Sequence, residues 1–185
     1  MKKVRILLYK TPKFKWKYIV NWLISIRTWS WWSHIEIWTT GTDGDFAYPP
    51  QNPRTDWAYE KGFYGTCWTS TMRGEDNGTV KRPANEVLDH PENWDYIEIE
   101  LEDHKYDNLI TLMQIEVEGN EGYSKWDLLK FISPIHFPDN DRNICSEFVD
   151  YMLFQVDIFR KYGIVSPGKV AKKLIRLGCK VGSLK

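Results

Sequence analysis

An α+β fold, a small antiparallel sheet packed against helices, is predicted by three features of the chain. Short runs rich in β-branched and aromatic side chains, several of them alternating apolar with polar, occupy the first hundred residues. Turn-forming Gly, Pro, Asn and Asp separate those runs. The second half instead carries apolar side chains at the 3.6-residue period of helices.

Taken in order, Val4 to Tyr9 (V-R-I-L-L-Y) reads as a buried strand. Thr11-Pro12 opens an amphipathic helix with Phe14, Tyr18, Ile19, Trp22, Leu23 and Ile26 on its apolar stripe. Trp31 to Thr40 alternates as a strand, and residues 41–62, with six glycines and prolines, read as a long loop. Tyr64 to Arg73 and Thr79 to Arg82 form strands around the turn at 74–78, and Tyr96 to Leu101 is a half-buried strand. Helices follow through Tyr106–Val117, Trp126–Ile132 and Ile144–Tyr162, the last ending at Gly163. Ser166-Pro167 caps a final helix that Gly178 terminates.

The chain has 185 residues, 42% of them apolar, so one domain over 1–185 with a proper core is expected. It carries 25 basic and 25 acidic side chains, which argues against a dedicated polybasic nucleic-acid binder. No obligate nucleic acid partner is expected. The balance hides a pattern: eight bases and no acid in the first 27 residues, twelve acids and one base from Glu86 to Glu121, and eight bases and no acid from Arg160 onward. Clustered charge is usually a solvated face, although basic ends that meet would form a surface for phosphates. No apolar run reaches the roughly 20 residues of a membrane span, and no signal peptide is read. Cys67, Cys145 and Cys179 are odd in number and lack CxxC spacing, so neither a disulfide framework nor a metal site is expected. A cytoplasmic, reducing location follows, delivery to an envelope by another route staying open. No cofactor is expected.

Cys145 is the candidate nucleophile. Phe148, Val149, Met152, Val156 and Phe159 follow it at spacings of 3, 4, 7, 11 and 14, which places the thiol at the start of a helix and on its inward face. Free amide N–H groups and the dipole of a first helical turn favour a thiolate. Of four histidines, His34 lies inside a strand between Ser33 and Ile35, where a polar ring needs a reason and a base would be rigidly held. His90 and His104 lie in acid-rich, exposed surroundings, and His136 in a loop between prolines. A third group should orient the imidazole. Glu36 shares the face of His34, but side chains two apart on a strand are about 7 Å apart. The neighbouring strand C-W-T-S-T supplies hydroxyls, of which Ser70 is chosen, with Glu36 as the other candidate. Trp57 and its aromatic neighbours in the long loop are placed to cover a cleft and grip substrate.

The order of S-H-I-E-I (33–37), then G-Y-S-K-W-D-L-L (122–129), I-C-S-E-F-V (144–149) and S-P-G (166–168) resembles the circularly permuted NlpC/P60 group of papain-like cysteine hydrolases. The two most specific pieces stand about a hundred residues apart. The resemblance implies a papain-like fold, Cys145 as nucleophile, His34 as general base and an oxyanion hole at the Cys145 N–H. It also implies that Tyr123 lines the site, although here Ser124 follows it where the group has Asp. The third group is expected near Thr69–Thr71, where this chain has hydroxyls and no acid. A thiol hydrolase cleaving an amide or ester bond follows, acting on a peptide, a cell-wall peptide or an acyl-amine. Two alternatives are a lipid-directed acyltransferase of the same fold and a non-catalytic module binding nucleic acid or glycan.

Overall fold

Alternation along Lys2–Lys10, strand β1, accounts for its central place in the sheet: Val4, Ile6 and Leu8 are fully buried on one face and Leu7 on the other. The computed structural model describes residues 1–11, 25–26, 30–39, 63–71, 78–119, 145–163 and 165–184. Within these, β1 is joined by β2 (Trp32–Thr39), β3 (Thr66–Thr71), β4 (Gly78–Pro83), β5 (Trp94–Leu101) and β6 (Val181–Ser183). All pairs are antiparallel, in the order β4-β3-β2-β1-β5-β6. The helices are α1 (Ala84–Val87), α2 (Asp103–Glu118), α3 (Cys145–Gln155) and α4 (Pro167–Arg176). The α+β class expected from the pattern is therefore present. The expected helix at 12–26 lies outside the described residues except Ser25 and Ile26, which are helical, and the loop 41–62 and the helix 126–132 lie outside them entirely.

The register assigns each face. Ile6 pairs with Ile37 and Ile97, and Leu8 with Ile35, so these side chains share the face covered by Met113 of α2, Phe148, Val149 and Met152 of α3, and Leu174 of α4. Full burial of such aliphatic side chains contributes about 1.5–3 kcal/mol each. The opposite face gathers Leu7, Trp38, Cys67 and Trp94 under Phe63 and the Ala84 and Leu88 side chains of the α1 region.

Besides the short helix α1, which the pattern did not predict, two features differ from expectation. The helix expected through Tyr162 stops at Gln155, because Asp157 takes a left-handed φ of 58° and the Ile158 and Phe159 N–H groups turn back to the Leu153 carbonyl. Asp tolerates that conformation better than most residues, so helical spacing at Val156 and Phe159 persisted in the sequence beyond the helix itself. The short β6 edge strand was not foreseen. The last helix fits its expectation: Ser166 accepts from the Lys169 N–H, and Gly178 adopts a φ of 92° after the C-terminus.

The basic N-terminal strand lies beside acids. Lys3 and Arg5 bond Glu98, Lys10 pairs with Asp95 and Lys2 with Asp107. The hydrogen bond from Lys3 does most to hold the Glu98 carboxyl below the usual 4.5; burial opposes it, and the bond from Arg5 and the two positive charges add to the lowering. A folded-state pKa below the unfolded one means that Glu98 stabilises fully above about pH 4.5 and loses that contribution as pH falls through the lowered value. Glu98→Gln is expected to flatten the acid limb of a stability-versus-pH curve measured by urea unfolding and to leave its slope near neutrality unchanged.

Candidate functional site

The imidazole of His34 is buried on β2, and its Nε2 lies 2.9 Å from Glu36 Oε1. The length of the glutamate side chain closes the gap that strand spacing alone predicts. Arg82 on β4 donates from Nη2 to the same Glu36 oxygen at 3.1 Å, placing a positive charge beside a carboxylate that has no exposure. Thr69 Oγ1 stands 3.3 Å from His34 Nε2 and 3.4 Å from the Ile35 carbonyl. With Glu36 ionised beside Arg82, its carboxylate accepts and Nε2 is the nitrogen that donates to it. The Trp94 ring stands edge-on to the imidazole at 6.4 Å.

Pairing of Trp38 with Cys67 explains which hydroxyl reaches the ring. It sets Cys67 and Thr69 on the face of Glu36, and Trp68 and Ser70 on the other. Ser70, chosen from the sequence, is therefore replaced by Thr69 as the hydroxyl beside the imidazole, and Glu36 takes the carboxylate role. Arg82 was missed; its signal was the buried Glu36, which needed a cation from a neighbouring strand. Cys67 belongs to this face too, and burial first, then the Glu36 charge, push its thiol well above the ordinary value.

Cys145 stands at the first described position of α3 and is half-buried. Ser146 donates its hydroxyl to the Val165 carbonyl at 2.5 Å, and the next residue, Ser166, caps α4. Gly168 in the first turn of α4 packs on Ser30, just ahead of β2; a Cβ there would come within 2.4 Å of Ser30 Oγ. These contacts join the start of α3 to the start of α4, and the start of α4 to the residues just ahead of β2, while α3 packs along β2 and β3.

The thiol and the ring lie on opposite faces of the sheet. Tyr9 pairs with His34 and Lys10 with Trp32, which leaves Ser33 as an extra residue, a β-bulge. Trp32 therefore packs with the helix-side cluster, as does Cys145, while His34 and Glu36 point to the other face. Two buried hydroxyls at this end of the sheet, Ser33 Oγ and Thr11 Oγ1, have no hydrogen-bond partner among the described residues. Tyr123 and Trp57 lie outside the described residues. Among the described residues no group of three or more His, Cys, Asp and Glu side chains is arranged to hold a metal ion, and all three cysteines are free. No helix among them is long and apolar enough to cross a membrane. Compared with models of known protein families and with curated proteins, the chain matches none.

Proposed function

We propose that the chain is a thiol hydrolase of amide or ester bonds, with Cys145 as nucleophile and His34 as its base. The observation that carries this reading is the buried His34–Glu36 pair, held by Arg82, on the strand along which the Cys145 helix packs, with Nδ1 as its basic nitrogen. In this chemistry Nδ1 takes the thiol proton while Sγ bonds the acyl carbon. The imidazolium then protonates the leaving amine or alcohol, and a thioester remains. Water, deprotonated by the same nitrogen, releases the acid and restores the thiol. Glu36, held by Arg82, orients the ring and stabilises its charged form. Because ring and thiol lie on opposite faces, the proton passes round the Ser33 bulge through a bridging water. The resemblance to permuted NlpC/P60 hydrolases supports the same assignment.

Competition among the three cysteines for iodoacetamide at neutral pH, followed by peptide mass spectrometry, tests it. Cys145 is expected to label about tenfold faster than Cys179, whose thiol burial pushes up, and Cys67 to label only on unfolding. Equal rates at Cys145 and Cys179 would count against a catalytic thiol.

A further inference from the structure

The two basic ends of the chain differ in how their charge is matched. Bases of β1 are paired with acids of β5 and α2, as described above. On α4, Lys169, Lys172 and Arg176 fall at i, i+3 and i+7, one stripe facing solvent, while Val170, Ala171 and Leu174 on the reverse are buried. Among the described residues none of the three has an acidic partner; Lys173 beside them is taken by Asp150. The last acid in the chain is Asp157. Two apolar side chains border the stripe, Ile175 at 44% and Leu177 at 58% exposure.

We infer that this end of α4 is a docking surface for an anionic lipid bilayer. Unmatched bases attract negatively charged headgroups, each worth about a factor of five in partitioning near such a surface. The exposed Ile175 and Leu177 decide between polyanions: they gain by entering the headgroup boundary and gain nothing against a phosphate backbone. The helix lies along the surface rather than across it, since its ten residues span only about 15 Å. This inference does not depend on the chemistry proposed for Cys145.

The test is flotation of the full chain with vesicles of phosphatidylcholine alone and of phosphatidylcholine mixed with phosphatidylserine. Binding is expected only to the anionic vesicles. The combined change Lys169→Gln, Lys172→Gln and Arg176→Gln should lower it about a hundredfold. Ile175→Ser with Leu177→Ser, which leaves charge intact, should lower it by about tenfold or more. All these positions face solvent, and unchanged circular dichroism confirms folding. Absence of binding to anionic vesicles, or binding that both variants retain, would overturn the inference. So would tighter binding to a single-stranded oligonucleotide that the Ile175 and Leu177 changes leave unaltered.

Discussion

Cys145→Ala is expected to remove acyl transfer altogether, lowering turnover of an activated ester such as nitrophenyl acetate by about a thousandfold or more. In the proposed chemistry the thiol sulfur forms the covalent bond, so no neighbouring group would replace it. Cys67 is buried with its thiol pushed up by that burial, and the thiol of Cys179, beyond the end of α4, is also pushed up by burial. In the unaltered chain, mass spectrometry of the stalled reaction should find one acyl group on the peptide that contains Cys145. An acyl group on another cysteine, or unchanged turnover in Cys145→Ala, would remove this residue from the chemistry. The substitution itself is mild: the side chain is small and half-buried, so folding should be kept.

The largest effect on stability is expected at the ion pair joining α3 to α4. Asp150 has no solvent exposure; Lys173 Nζ donates to its two oxygens at 2.6 and 2.8 Å, and the Gly163 N–H donates to Oδ2. Removal of the cation leaves a carboxylate buried with one neutral donor, whereas Lys173, 32% exposed, can turn to water if the acid is removed. Lys173→Met should therefore cost about 3 kcal/mol, lowering Tm by roughly 10 °C, and Asp150→Asn only about 1–2 kcal/mol. Urea unfolding of both variants gives the comparison. Equal losses, or a larger loss in Asp150→Asn, would contradict the argument from burial.

Strands β1, β2 and β5 and helices α2 and α4 were readable to within a few residues, because an apolar run or a clear apolar period marks each of them. The end of α3 was not, since a single left-handed Asp157 interrupts an apolar spacing that continues past it. At the site, the sequence pointed to His34, Glu36 and Cys145 and to a hydroxyl on the next strand. The choice of Thr69 over Ser70 depends on the pairing of β2 with β3, a long-range register that neither strand encodes alone. Arg82 was hidden for the same reason: it arrives from β4, which reaches Glu36 only across β3. The bulge at Ser33 was the least readable feature. One extra residue sends Trp32 to the helix face and His34 to the other, and no composition signal marks it.

The central claim is that the imidazole acts on the thiol across that bulge. It is tested most directly by the rate at which Cys145 alone is alkylated near neutral pH in the unaltered chain, in His34→Ala and in Glu36→Gln. The account predicts that His34→Ala slows this labelling about tenfold and Glu36→Gln by less, with Cys179 labelling unchanged in all three. Identical Cys145 rates in the unaltered chain and in a folded His34→Ala variant would contradict it.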